Sequence, residues 1–166
     1  MITIIQADQS HLETIRRIAL ATWPDTFEGI LSKEQIDYML EWMYSIESLK
    51  NQTEKLAHQF ILAKDEETFC GYASYELNVA GEPETKIHKI YILPESQGKG
   101  VGKALMNEIE TIARSHGNTA LTLNVNRGNK AIDFYERHGF IIVGQEDLSI
   151  GGGFFMEDFI MKKKLD

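Results

Sequence analysis

The chain has 166 residues, the size of one ordinary domain, and 43% of them are hydrophobic and 25% charged, as in a globular protein that buries a full core. A single cysteine, Cys70, excludes an internal disulfide framework and a multi-cysteine zinc site, and a formal net charge of −8 argues against a nucleic-acid partner. No stretch approaches the roughly 20 apolar residues of a membrane helix, and the N-terminal residues lack the pattern of a secretory signal. We therefore expect one cytoplasmic domain over residues 1–166, with no membrane partner.

The first part of the chain predicts one strand followed by helices. Residues 1–6 alternate apolar and polar side chains, as a strand does. Ser10 and Ser32 are each followed three residues later by Glu or Gln, the capping-box pattern that marks the start of a helix. A third helical stretch is predicted over 47–57.

From residue 60 onward, strand patterns dominate. The predicted strands are 60–63, 69–77, 84–93, 119–125, 140–143 and 154–161, and the predicted helices run over 100–117 and 130–138. The resulting order, β-α-α-β-β-β-α-β-α-β-β, predicts a mixed α/β (α+β) domain. We expect its sheet to be mostly antiparallel, with one β-α-β crossover.

The charge is distributed unevenly along the chain. Residues 25–84 contain 13 acidic residues against four lysines, a net charge of −9, whereas the other 12 acidic and 13 basic residues leave +1. This asymmetry suits a cationic ligand that meets an anionic one. The alternative is an acidic surface that only keeps the protein soluble.

Three glycines at alternate positions mark the junction between the strand over 84–93 and the next helix. Residues 97–102 read Gln-Gly-Lys-Gly-Val-Gly. Glycines leave the backbone N–H groups unobstructed, and at a helix N-terminus these groups favour an anion such as pyrophosphate. A Walker A loop would need other residues than Gln97 and Ala104, and a dinucleotide fingerprint would need a small residue at Lys103 or Leu105. Both known loops are thereby excluded, and a glycine turn without a ligand is the alternative.

Two blocks of the sequence resemble the GNAT superfamily of N-acetyltransferases. Residues 91–105, Tyr-Ile-Leu-Pro-Glu-Ser-Gln-Gly-Lys-Gly-Val-Gly-Lys-Ala-Leu, are similar to its acetyl-CoA motif, in which Gln or Arg is followed by x-x-Gly-x-Gly or Ala. Residues 124–140 resemble its second block, with Asn, then Ala, then Phe-Tyr and Gly-Phe. The resemblance is specific over 88–140. It implies a GNAT-like sheet with helices on both faces and the crossover at the acetyl-CoA site.

The resemblance also implies which residues bind acetyl-CoA, the acetyl donor. The backbone of residues 90–92 would bind the pantetheine arm together with Asn129, and the amides of 98–102 would hold the pyrophosphate, with Lys103 near it. Tyr135 would stand beside the sulfur. The complete implied set is Ile90, Tyr91, Ile92, Gln97, Gly98, Lys99, Gly100, Val101, Gly102, Lys103, Asn129 and Tyr135.

Acetyl transfer to an amine makes three chemical demands. An alkylammonium with a pKa near ~10.4 must lose a proton, the carbonyl oxygen needs a hydrogen-bond donor, and the departing thiolate benefits from a proton. We expect a backbone N–H of the strand over 88–93 to be the donor and Tyr135 to be the general acid. Many family members carry a glutamate base on that strand, where this chain has Lys86, His88 and Lys89. His88 is therefore the candidate base. A water chain to a backbone carbonyl and a carboxylate of the acidic segment are the alternatives.

No metal is predicted, because the five histidines show no ligand spacing.

The acceptor site is expected in residues 23–35 and 145–159. Its candidate aromatic residues are Trp23, Phe27, Tyr38, Phe154 and Phe155, and its candidate acidic residues are Glu28, Glu34, Glu146, Asp147, Glu157 and Asp158. Residues 21–27 and 154–161 also resemble the polyamine-acetylating branch of bacterial GNAT proteins.

The leading hypothesis is thus an acetyl-CoA-dependent N-acetyltransferase that acts by direct attack of a small cationic amine, with a polyamine favoured. A protein or peptide N-terminal acetyltransferase is the alternative within enzymes. A non-catalytic acyl-CoA-binding regulator is the alternative of another class. The protein is expected to be a monomer or a homodimer.

Overall fold

The computed structural model describes all 166 residues. The strands are β1 Ile2–Gln6, β2 Gln59–Asp65, β3 Thr68–Glu76, β4 Glu84–Ile92, β5 Ala120–Asn126, β6 Ile141–Gly151 and β7 Phe154–Lys164. The helices are α1 Leu12–Phe27, α2 Lys33–Tyr44, α3 Ile46–Glu54, α4 Val101–Ser115 and α5 Ala131–Arg137. All strands form one sheet in the order β1-β2-β3-β4-β5-β7-β6. Each neighbouring pair is antiparallel except β4 and β5, which are parallel and joined through α4. The expected mixed, mostly antiparallel sheet with one β-α-β crossover is confirmed.

Helices cover both faces of the sheet. On one face, Leu105 and Ile109 of α4 and Tyr135 of α5 pack with the central strands. On the other face, α1, α2 and α3 bury a second core that includes Ile15 and Leu49. The apolar positions predicted for the first helix, Leu12, Ile15, Ile18 and Ala19, are all buried. None of the helices is long and apolar enough to cross a membrane.

The ends of several elements differ from the prediction. The Asp8 side chain accepts a hydrogen bond from the Ser10 N–H at 2.8 Å and starts a short 3-10 turn, so that α1 begins at Leu12 and Ser10 is not its cap. Ser32 does cap α2, because its hydroxyl oxygen accepts from the Gln35 N–H at 3.1 Å. Strand β6 extends well beyond the predicted 140–143, since the hairpin with β7 continues its ladder to Gly151.

The sheet is split between its two parallel strands. Strands β4 and β5 pair only from Glu84 and Ala120 to Ile87 and Leu123. Beyond those residues β4 continues along β3 and β5 continues along β7, so that a gap opens in the middle of the sheet. A β-bulge lies where it opens: Lys89 and Ile87 face consecutive residues of β3, which leaves His88 as the extra residue.

Candidate active site

The gap between β4 and β5 exposes main-chain groups that have no strand partner. Residues 89–92 pair along β3, and their β5-facing edge has no strand partner. Unpaired backbone N–H and C=O groups need a ligand or water as a partner. The Ile90 and Ile92 side chains pack toward α4, whereas Tyr91 packs on the side of α1 to α3. The main chain of 90–92 therefore lines the gap.

The glycine loop leads from the end of β4 into α4. Gly98 and Gly100 have φ values of +80° and +83°, which favour glycine, and a Cβ atom at either would meet no atom within 4 Å. Gly100 is the N-cap of α4, so the first amides of the helix point into this open space. Val101 is 1% exposed and anchors the loop in the core. Three polar side chains in or next to the loop are exposed, namely Gln97, Lys99 and Lys103. Free amides, open space and nearby lysines fit a pyrophosphate group.

Gly102 brings the glycine loop close to the gap. A Cβ atom at this position would lie 3.1 Å from Ile92 Cδ1 and 3.1 Å from Phe134 Cε1. The first turn of α4 therefore rests directly on β4 and α5. This contact sets the distance between the phosphate-binding amides and the gap.

Helix α5 carries the two candidate residues of the second block. Asn129 lies just before it, and its Oδ1 atom accepts from the N–H of Ala131, the first residue of the helix, at 2.9 Å. Tyr135 is 6% exposed and lies between the rings of Phe134 and Phe140, with centroid distances of 5.5 and 5.7 Å. Burial raises the pKa of Tyr135 well above its usual value, so the hydroxyl keeps its proton at physiological pH.

Tyr91 connects groups that come from three separate elements. Burial raises the pKa of its hydroxyl well above the usual range, and the neighbouring Tyr44, Tyr135 and Asp158 raise it further. The Tyr91 ring packs against Trp23 at 5.5 Å between centroids. The sequence predicted only a main-chain role for Tyr91, and no pattern along the chain indicated these interactions of its side chain.

Asp158 belongs to a polar cluster on the face of the sheet that α1 to α3 cover. It pairs across the ladders with Asn126 and Glu146, and cross-strand partners lie on the same face. Asn124 donates its side-chain N–H groups to Glu146 Oε1 and, at 3.4 Å, to Asp158 Oδ2. Burial and the nearby Glu146 raise the pKa of Asp158, although Asn124, Arg127 and another cation oppose the shift.

His88 lies in a cluster that the sequence did not predict. Its Nε2 atom is 3.0 Å from Glu76 Oε1, the same oxygen is 3.8 Å from His58 Nε2, and the two rings stack at 3.8 Å. Burial, with a smaller effect of Lys89 and Lys86, lowers the pKa of His88 to about 3, and burial and His88 lower that of His58 to about 4. These three side chains could also hold a metal ion, since their ligand atoms lie within 4.8 Å of one another. His58 and Glu76 are distant from His88 in sequence, so no spacing pattern could indicate the cluster.

The structure separates the proposed acceptor residues into core and surface. Trp23 and Phe27 are each 2% exposed and belong to the core under α1. Tyr38 contacts Phe154 at 5.2 Å, and Phe155 is half exposed. Among the six acidic candidates, Asp158 is buried, Glu146 is half-buried, and the exposed ones are Glu28, Glu34, Asp147 and Glu157.

The acidic segment 25–84 does not form one surface. Asp37 pairs with Lys33 on α2 at 2.7 Å, while Glu66 binds the N-terminal amine at 3.0 Å at the turn between β2 and β3. The hairpin of β6 and β7 carries further negative charge, including Glu146 and Asp158.

Comparisons with known proteins agree with this geometry. Residues 12–140 match the Acetyltransferase (GNAT) family. The spermidine N(1)-acetyltransferase of Thermoplasma acidophilum is 30% identical over 160 residues, which cover 93% of this chain and 92% of that protein. The crystal structure of the PaiA N-acetyltransferase from Thermoplasma acidophilum in complex with coenzyme A has a TM-score of 0.83 at 30% identity and covers 99% of both chains. The ribosomal-protein-S18-alanine N-acetyltransferase from Escherichia coli shares the fold, with a TM-score of 0.70 at 20% identity over 100% of this chain and 95% of that one. The motif resemblance is thereby confirmed, and the chain belongs to the GNAT family of N-acetyltransferases.

Proposed function

We propose that this acetyltransferase acts on a primary amino group of a polyamine. The observation that carries the proposal is the carboxylate pair Glu146 and Asp158, which Asn124 of β5, the strand opposite β4 across the gap, holds by hydrogen bonds. Two carboxylates at the end of a narrow opening attract a small cation. The similarity to a spermidine acetyltransferase over 93% of the chain supports the same substrate class.

The two faces of the sheet would receive the two substrates separately. The glycine loop and α5 lie on one face, and the carboxylate pair lies on the other. The amides of 98–102, the main chain of 90–92 and the Asn129 side chain would hold acetyl-CoA, which supplies an acyl group activated as a thioester. The amine would approach through the gap from the face of α1 to α3.

Tyr135 is the proposed proton donor in this arrangement. Its side chain is buried, and its raised pKa keeps the hydroxyl protonated at physiological pH. A protonated phenol beside the departing sulfur can transfer its proton as the carbon–sulfur bond breaks.

The proposed role of His88 as the base remains a prediction. Its Nε2 atom is engaged with Glu76, and its lowered pKa makes the ring a weak proton acceptor. A His88→Gln variant measured across pH tests this role directly.

An amine panel tests the proposed substrate class. Acetyl-CoA turnover, followed by thiol release, should be highest with spermidine, spermine and diamines. The matched control is a monoamine with the same carbon chain as the diamine, because it differs only in the remote ammonium group. Turnover of amino acids or peptide N-termini with failure of all polyamines would contradict the proposal, and failure of every amine would favour a binding regulator.

A further inference from the structure

One carboxylate oxygen in the gap has no partner within the protein. Asp158 is 5% exposed, and its Oδ1 atom is buried without a hydrogen bond. Buried polar groups in native proteins are nearly always hydrogen-bonded. Arg127 does not neutralise it, since this side chain donates to the main-chain oxygen of Asp158 at 3.1 Å and binds the Asp147 carboxylate at 2.8 Å. The unpaired oxygen therefore points to a donor that comes from outside the chain.

Asp158 also lies where the reacting amine would arrive. It faces Asn126 at the end of β5, three residues beyond Leu123, where β5 has already separated from β4. Tyr91 of β4 packs on the same face of the sheet, the one that α1 to α3 cover, and the charge of Asp158 raises the pKa of its hydroxyl. The carboxylate therefore lies on the face from which the amine would approach.

We propose that Asp158 is the general base, and that its Oδ1 atom first binds the ammonium group of the acceptor and then takes its proton. This inference rests on the proposed function in one respect, namely that the acceptor nitrogen arrives as an ammonium ion. It does not depend on which amine is the natural substrate.

The proton balance is complete with these two residues. Asp158 takes one proton from the ammonium group, and the freed lone pair forms the new carbon–nitrogen bond. The carbon–sulfur bond breaks with its electron pair on sulfur, which takes the Tyr135 hydroxyl proton. Once the new bond has formed, the nitrogen still carries one excess proton, and this proton passes to the Tyr135 oxygen and restores the hydroxyl. Asp158 releases its proton to solvent after the products leave, so the net reaction yields an amide, a thiol and one proton.

The surroundings of Asp158 suit a base better than those of His88. Burial and Glu146 raise the pKa of Asp158, which makes it a stronger proton acceptor, while Asn124, Arg127 and Lys86 oppose the shift. Burial keeps the Tyr91 hydroxyl protonated, so it does not compete for the proton. His88 in contrast is held neutral beside Glu76.

The first test compares Asp158→Asn with a matched surface change. Asp158→Asn keeps the shape of the side chain and should lower kcat by roughly 10²- to 10⁴-fold, the usual range for a general base. Affinity for acetyl-CoA should change by less than about two-fold, since the glycine loop is untouched. Asp133→Asn, an exposed position on α5, should retain wild-type kcat. Wild-type kcat in a folded Asp158→Asn protein would overturn the proposal.

The second test separates a base from a structural residue. The wild-type kcat should fall as pH decreases through the raised pKa of Asp158. Asp158→Asn should lack this fall in kcat at low pH, whereas His88→Gln should keep it. A fluorinated alkylamine that is already neutral at the assay pH needs no base. With this amine, the wild-type kcat should no longer fall at low pH, and Asp158→Asn should recover most of its activity. The wild-type comparison holds even if the variant does not fold. The assignment would be overturned if only His88→Gln lost the fall in kcat at low pH. It would also be overturned if Asp158→Asn lost the same fraction of activity with both amines.

The substrate panel and these variants fail independently. If polyamines are not acetylated but another amine is, the proposed substrate class is wrong, and Asp158 is tested with the amine that is turned over. If polyamines are acetylated and Asp158→Asn is fully active, the proposed function stands and Asp158 is not the base.

Discussion

At the scale of single residues, Gly100 combines a backbone and an electrostatic requirement. Its φ of +83° is tolerated by Asn and Asp better than by other side chains, so Gly100→Asn and Gly100→Asp carry similar strain and differ in charge. Two like charges about 4 Å apart repel by about 4 kcal/mol at an effective dielectric of 20, and solvent weakens this. We expect acetyl-CoA to bind roughly 10- to 100-fold more weakly to the Asp variant than to the Asn variant. Isothermal titration calorimetry measures the difference, and equal affinities would show that no phosphate lies at this loop.

The Tyr135 hydroxyl is expected to serve catalysis and not binding. Tyr135→Phe keeps the ring between Phe134 and Phe140 and removes the proton donor. The value of kcat should fall by roughly 10- to 10⁴-fold, with little change in the Kd for acetyl-CoA. Single-turnover measurement isolates the chemical step. Wild-type single-turnover rates would exclude Tyr135 as the general acid.

At the scale of elements, Gly102 controls how closely α4 approaches β4 and α5. Replacing glycine by alanine inside a helix usually stabilises a protein by roughly 0.5–1 kcal/mol. Here the added methyl group would lie 3.1 Å from both Ile92 and Phe134, so we expect Gly102→Ala to lower the free energy of unfolding by about 1–3 kcal/mol. Denaturant unfolding gives the sign. The double variant Gly102→Ala/Phe134→Leu should recover part of the loss, and a stabilised single variant would contradict the close packing.

At the scale of the whole molecule, the buried histidine pair makes stability depend on pH. The folded pKa of His58 is about 4, against 6.5 for an ordinary histidine, so the unfolded chain binds this proton more readily than the folded protein. The contribution of His58 to the free energy of unfolding is therefore fully present above pH ~6.5. It is lost as the pH falls toward the pKa of the folded state, by about 3 kcal/mol in all. A double His58→Gln/His88→Gln variant should show a flatter unfolding curve between pH 6.5 and 4. His116→Gln, exposed at the end of α4, is the control, and an unchanged slope in the double variant would refute the assignment.

The net charge of −8 also predicts how the enzyme responds to salt. Attraction between the protein and a polycation is screened over roughly 8 Å at physiological ionic strength. The kcat/KM for spermine should therefore fall more steeply with added salt than that for a monoamine, since fewer charges steer the latter. Steady-state rates at a series of NaCl concentrations test this. Parallel salt dependences would indicate that the field of the protein plays no part in acceptor capture.

The sequence predicted features whose cause is local, and missed those that depend on distant residues. The glycine loop and the block around Tyr135 were recognisable because their chemistry is written in consecutive residues. The start of α1 was misplaced because Asp8 caps a 3-10 turn before the helix and accepts hydrogen bonds from both the N–H and the hydroxyl of Ser10. The meeting of His58 with His88, and the approach of Asp158 to Tyr91, depend on strand order and on the opening between β4 and β5. No pattern along the chain encodes these pairings.

The opening between β4 and β5 has a consequence for inhibitor design. A conjugate of coenzyme A and a polyamine would have to occupy both faces of the sheet at once, and its nucleotide end is too bulky to follow the amine through the opening. It must therefore enter from the side of α4, with the amine end first. We expect such a conjugate to compete with acetyl-CoA and with the amine alike, and to bind slowly. Its potency should increase with the length of the linker until the remote ammonium group reaches Glu146, and should level off beyond that length.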